Sequence, residues 1–316
     1  MRKNIAFVTI LATSLASYAA SAQPEGAPPA APPPEGAPPA AAPPEGAPPA
    51  AEAPAPAPAP APAAAPAGYP DEYALRPLTL SAGMFQGTLP VVLNLSKNAA
   101  LKPVWIPIEL AFGATNELTV FVSHNVVGQS NAMLYPGVGG GLCLGGKDRN
   151  CEKVYNNLNV GGMYSLLKSN GVELAGLLAL DIRRFSDPME LGVDVGVPFK
   201  YVAAPVSVKL VPQVDIGVNK RSQGNKEILS VPLQVAFQAM PQLAIFLDAG
   251  IIGKISHFSD NYTVPLGIGA DFLIQHGLDV GLEFGLPMVA ATSKIPSDAK
   301  GFNDRTLMLY AAWRSM

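Results

Sequence analysis

Twenty consecutive residues, ILSVPLQVAFQAMPQLAIFL at 228–247, carry no charge, and by hydropathy alone they would count as a membrane helix. Pro232 and Pro241 interrupt that helix, and its polar residues Ser230, Gln234 and Gln238 share one parity. A repeat of two is the repeat of a strand. The same alternation recurs along the chain. Leu191, Val193, Val195, Val197 and Phe199 oppose Gly192, Asp194, Gly196 and Pro198. Leu278, Val280, Leu282, Phe284 and Leu286 oppose Asp279, Gly281, Glu283 and Gly285. Val206, Val208, Leu210, Val214, Ile216 and Val218 oppose Lys209, Gln213, Asp215 and Gly217.

A soluble antiparallel sheet also wets one face, so alternation alone leaves two solutions open. The small residues separate them. A wet outer face favours Thr, Lys and Glu, whereas glycine there costs entropy without return. Glycine mixed with isolated charges suits the inner wall of a crowded lumen, and the apolar face then meets lipid. The expected fold is all-β: a single transmembrane antiparallel β-barrel. An exported soluble β-protein is the alternative.

Twelve strands are expected, roughly at 84–96, 103–114, 117–126, 159–168, 171–183, 189–202, 205–219, 227–239, 242–256, 262–275, 278–291 and 304–315. Tight connections at Thr115-Asn116, Ser169-Asn170, Ala203-Ala204, Met240-Pro241 and His276-Gly277 alternate with longer, polar ones. An even strand count with short turns at one end and long loops at the other is an outer-membrane layout. Pro90, Pro107, Pro198, Pro232, Pro265 and Pro287 share the inward parity and are expected to mark bulges or bends, whereas Pro212 does not share it. A strand broken at a proline would change the count by two.

Residues 69–316, with FGATNELTVF and the repeated xVPLxI pattern, resemble outer-membrane β-barrel proteins of Gram-negative bacteria, porin-like and poorly characterised. The resemblance implies architecture rather than activity. It also implies a closing terminal aromatic, where this chain reads Trp313-Arg314-Ser315-Met316.

Two segments precede the barrel. Arg2 and Lys3, the apolar run IAFVTILATSLA and Ala20-Ser21-Ala22 predict a secretory signal peptide over 1–22, too short to span a bilayer. Residues 23–68 hold 18 of the 33 prolines and repeat PEGAPPAA every ten residues. With nothing to bury, this segment is expected to be a disordered, extended spacer that could reach on the order of 140 Å. It would lie in the periplasm, as a tether toward the cell wall or as a solvated tail. The remaining 69–316 carry a net charge of −1, and the whole chain −3, which disfavours nucleic acid as a partner.

Cys143 and Cys151, the only cysteines, bracket CLGGKDRNC and are expected to pair as a disulfide in an oxidising compartment. A metal site would need further ligands at suitable spacing, and neither metal nor cofactor is expected. His257 and Ser259 form a His-x-Ser expected on one strand face, the local pattern of an outer-membrane lipid hydrolase. GxSxG, HExxH and P-loop patterns are absent, so no catalytic residue is assigned and an enzyme is not expected.

The inward charges carry the functional reading. Glu109, Glu173, Asp181, Arg183, Asp194, Lys209, Asp215, Asp248, Asp271, Asp279 and Glu283 are expected to line the lumen, with Glu190, Lys200 and Lys254 on the same parity. Acids outnumber bases by ten to four in that set, so a bore open to water would prefer cations. The expected function is a narrow passive channel for small hydrophilic solutes. The alternatives are a closed structural or adhesive barrel, in which the charges interlock, and a lipid hydrolase. Lys147, Arg149, Lys153, Lys220, Arg221, Lys226, Lys294 and Lys300 fall in the outer loops, where they would meet lipopolysaccharide.

Overall fold

A computed structural model describes residues 68–97, 101–124, 141–145, 155–185, 189–294 and 300–315. The signal peptide, all but the last residue of the spacer, and Cys151 lie outside them, as do Lys147, Arg149 and Lys153. The strands are β1 (Phe85–Asn94), β2 (Val104–Ile106), β3 (Glu109–Gly113), β4 (Leu118–Ser123), β5 (Gly141–Leu144), β6 (Tyr155–Asn156), β7 (Leu158–Ser169) and β8 (Val172–Arg184). There follow β9 (Glu190–Gly196), β10 (Phe199–Ala203), β11 (Val206–Leu210), β12 (Gln213–Gly217), β13 (Ile228–Met240), β14 (Leu243–Lys254), β15 (Tyr262–Gln275), β16 (Leu278–Ala291) and β17 (Thr306–Arg314). β2 with β3, β9 with β10 and β11 with β12 each form one interrupted wall strand. β5 and β6 belong to the long connection after β4, where β5 pairs with β2. The wall is therefore a closed antiparallel barrel of 12 strands. It closes through β1 and β17 in an unbroken ladder from Gln86↔Arg314 to Asn94↔Thr306.

The prolines explain the interruptions. Pro107, Pro198 and Pro212 separate the paired pieces, because each removes a ladder donor. Pro212 does so despite its outward parity, which corrects the restriction to inward prolines: the missing N–H matters whichever face the ring takes. The remaining prolines lie where the ladder is already broken or shifted. Pro90 pairs with Tyr310 on one side and lies opposite the gap at Pro107 on the other. Pro232 pairs with Gly250, while its carbonyl accepts Val211 N–H at 2.9 Å across the break between β11 and β12. Pro265 and Pro287 fall at the register shift between β15 and β16. The count stays at twelve because the pieces on either side of each break continue along the same neighbours.

Leu178, Leu180, Val195, Ile216, Phe237, Ile268 and Leu282 are among the exposed outward residues. Trp313, close to the chain end, also faces out and packs near Phe85, with ring centroids 5.9 Å apart. The inward glycines make room for bulky neighbours. A Cβ at Gly281 would fall within the Tyr310 ring, and one at Gly269 would meet Phe246. At the short-turn end, Asn170 (φ 51°) and Gly171 (φ 77°) both take left-handed backbone, the two-residue hairpin geometry that matches strand twist.

Candidate functional site: a stoppered lumen

Residues 69–84 precede the first strand and have no alternation. They do not extend the wall; they enter the lumen at the short-turn end and cross it. Asp71 anchors the outer end, with His276 Nδ1 2.5 Å from its Oδ2 and the Gly277 amide donating to Oδ1 at 3.4 Å. Partial burial works against the Asp71 carboxylate, but these two bonds outweigh it and hold its pKa below the usual range.

Tyr73–Leu75 then form a single helical turn. The Tyr73 ring stacks on Phe246 with centroids 5.6 Å apart, and its hydroxyl donates to Gln234 Oε1 at 3.1 Å. Ala74 N–H donates to Gln238 Oε1 at 3.0 Å. Arg76 reaches Asp279 Oδ1 at 2.8 Å and Asp271 Oδ1 at 3.9 Å, and its guanidinium lies 5.4 Å from the centre of the Tyr73 ring. Lys200 Nζ donates to the Arg76 carbonyl.

The segment continues across the bore. Leu78 N–H donates to Glu173 Oε2 at 2.7 Å and Leu80 N–H to Thr119 Oγ1 at 2.7 Å. Leu78 and Leu80 pack into a cluster with Met84, Phe121, Met163 and Leu177. At Gly83 (φ 79°) the chain turns out of the lumen into β1, tied by Gly83 N–H to the Gly113 carbonyl at 2.7 Å. The core of this barrel is thus inside the wall, between the wall and the stopper.

The expected lumen residues fall into three groups. Glu173, Asp271 and Asp279 hold the stopper, and Arg314, which sequence reasoning did not single out, donates to Asp279 Oδ2 at 2.5 Å. Tyr310 donates to Asp271 Oδ2 at 2.8 Å. Glu109, Lys209, Asp248 and Glu283 form the second group, one cation among three carboxylates. Gln234 Nε2 donates to Asp248 Oδ1 at 3.1 Å. A cavity of about 200 Å³ beside the stopper is lined by Glu109, Lys209 and Glu283 together with Tyr73, Arg76 and Tyr310.

Asp181, Arg183, Asp194 and Asp215 form the third group, toward the long loops. Asp194 lies directly across from Asp215, a like-charge pairing that needs a counter-charge. Arg183 supplies it, pairing with Asp215 and, at 3.2 Å, with Asp181. It sits at a register shift between Ile182 and Arg184, a bulge that re-aims the side chain along the wall. Asn159 Nδ2 donates to Asp194 at 2.5 Å, and Asn225, from the loop after β12, accepts from Arg183. Asp181 and Asp194 are both 0% exposed.

The inward apolar residues Ala111, Phe121, Met163, Ala175, Leu177, Phe246 and Met308 were also missed. The signal for some of them was present in ELAGLLAL at 173–180, where both parities are apolar.

His257 and Ser259 are not on a strand face. β14 ends at Lys254, and His257 (φ 61°) turns the chain into the short helix Phe258–Asn261. The His257 carbonyl accepts from Asp260 N and Asn261 Nδ2, both at 2.9 Å. Both side chains are exposed in a polar turn, and residues two apart in a helical turn do not face one another. Among the described residues no group of three or more His, Cys, Asp or Glu is arranged to hold a metal ion.

No family model matches the sequence, and no curated protein matches it. Among solved structures it is similar to the NanC porin, with TM-score 0.50 and 6% identity over 71% of this chain and 98% of that one. The fold is that of a porin-like outer-membrane β-barrel. The KdgM porin aligns with TM-score 0.48 and 8% identity, over 73% of this chain and 99% of its own. An outer-membrane channel from Pseudomonas putida F1 aligns with TM-score 0.46 and 12% identity, over 79% and 99%.

Proposed function

We propose that the protein is exported to the outer membrane and works there as a narrow passive channel for small hydrophilic solutes, stoppered in this state by residues 69–84. The carrying observation is that the bore is lined with ionisable groups, while residues 69–84, which precede the first strand, lie within it and are joined to wall side chains. A channel of this kind lowers the barrier by offering a polar path through hydrocarbon and needs no covalent chemistry. In this reading the short-turn end faces the periplasm, where the stopper runs back into the Pro/Ala-rich spacer and, through it, toward the cell wall. Lys220, Arg221, Lys226, Lys294 and Lys300 then face lipopolysaccharide, and Cys143 and Cys151 staple the longest outer loop.

The packed stopper favours a second reading, a closed structural barrel. Single-channel recording separates the two. The mature chain should conduct weakly, and deletion of residues 69–80 should raise conductance at least tenfold, with the heat-dependent gel shift of a folded barrel retained. A folded deletion variant that conducts no better than the full chain overturns the channel reading.

A further inference from the structure

The stopper shows what its seat recognises. We propose that the seat of Tyr73 and Arg76 is a binding site for solutes that carry an aromatic ring and a cationic group, and that these two residues stand in for such a solute when none is bound. The inference rests on the channel reading and names the class of solute the channel selects.

The seat has two adjoining parts. One is an aromatic slot, where a ring lies against Phe246 (interplanar angle 22°) with Gln234 Oε1 placed to accept a hydroxyl proton. The other is an acidic pair, Asp271 and Asp279, where a planar cation sits against both carboxylates. Ring and cation are neighbours, with the guanidinium carbon 5.4 Å from the ring centre, so one small molecule can fill both parts.

Charge decides the sign of the ligand. When the stopper withdraws, Lys200 loses the Arg76 carbonyl and Glu173 loses the Leu78 amide. These two wall residues are cross-strand partners and can neutralise each other. Arg314 remains on Asp279. Asp271 keeps the Tyr310 hydroxyl and shares the charge of Arg314 with Asp279, so two carboxylates are left with one cation and the empty seat is one positive charge short. An anionic solute would add to that imbalance, and an aliphatic cation would leave the slot over Phe246 unfilled. The cavity of about 200 Å³ beside Tyr73 and Arg76 gives an entering solute room next to the seat before the stopper leaves.

Tyramine is the probe, with 4-hydroxyphenylacetate as its anionic counterpart and ethylammonium as the cation without a ring. Each is titrated calorimetrically into the full mature chain, wild type and Arg76→Ala, folded in detergent. Tyramine should bind Arg76→Ala at least tenfold more tightly than the wild type, whose own stopper competes. Adding Asp271→Asn to Arg76→Ala should weaken tyramine at least tenfold, and the other two probes should bind at least tenfold more weakly than tyramine. Equal binding of all three probes, no tyramine binding to folded Arg76→Ala, or no effect of Asp271→Asn overturns the inference. If Arg76→Ala does not fold, the wild-type chain carries the test: tyramine must still bind it more tightly than 4-hydroxyphenylacetate. Conductance on the same samples reports separately on the channel, so a seat that binds in a barrel that never conducts sinks the channel reading alone.

Discussion

The two ends of the lumen meet the same electrostatic problem in different ways. Toward the long loops, Asp181 and Asp215 take their counter-charge from within the wall, from Arg183 at its bulge, which Asn225 of the neighbouring loop helps to hold, and Asp194 takes a hydrogen bond from Asn159. Toward the short turns, Asp271 and Asp279 receive part of their counter-charge from Arg76, which belongs to a segment outside the wall. A buried charge cluster completed by the wall is permanent. One completed by a terminal segment is conditional, because the contacts that satisfy it are also the contacts that hold the bore shut.

Substitutions should separate the two ends. Arg183→Ala should have the largest effect, removing about 3–5 kcal/mol of stability, because it strands buried carboxylates without their cation. Urea unfolding of the refolded barrel measures it, and the fraction that folds should keep its stopper seated and show no tenfold rise in conductance. Arg76→Ala should do the reverse, leaving the wall's urea midpoint in place while weakening stopper seating by about 1.5–3 kcal/mol, as for lost hydrogen bonds to charged groups. Its signature is a rise in open-channel occupancy of roughly tenfold or more. If Arg76→Ala lowers the urea midpoint as much as Arg183→Ala does, the contrast between a permanent and a conditional cluster is wrong.

Gly281→Val tests a neighbouring contact from the wall side. Its side chain would occupy the space of the Tyr310 ring and push the hydroxyl away from Asp271, at about 1–3 kcal/mol of overpacking. Loss of heat resistance in the gel shift would report it, and Gly281→Ala should be milder. Asp71→Asn should have the smallest effect, under about 1 kcal/mol, because its His276 partner is largely exposed. The sign with pH follows from the lowered Asp71 pKa. The contribution of this carboxylate to seating is fully present above its unfolded value of about 4 and is lost as pH falls through the lower folded value. Acid should therefore open the wild-type channel more than the Asp71→Asn variant, as conductance recorded from pH 6 down to pH 3 would show.

The positions of the twelve wall strands were legible because a two-residue repeat with one buried and one outward face leaves little freedom in register. β15 and β16 run over the residues the alternation marked, and the inward Gly281 faces the Tyr310 ring that requires it. The prolines were legible as interruptions but not as to which strands they would break, since that depends on whether the neighbouring strand has a gap at the same level. His257 and Ser259 were misplaced because alternation runs on to the end of β14 and nothing in it signals the left-handed residue that turns the chain.

The amino-acid sequence by itself determined that this chain forms a barrel and roughly where its wall strands run, since parity and turn spacing are local properties. That residues 69–84 lie inside the barrel was decided only by the tertiary structure. Tyr73, Arg76 and Leu78 belong to no repeat, and their partners Gln234, Asp279 and Glu173 lie about one hundred to two hundred residues away. Those partners form one surface only after the wall has closed. A contact that depends on closure leaves no periodic trace in the chain that makes it.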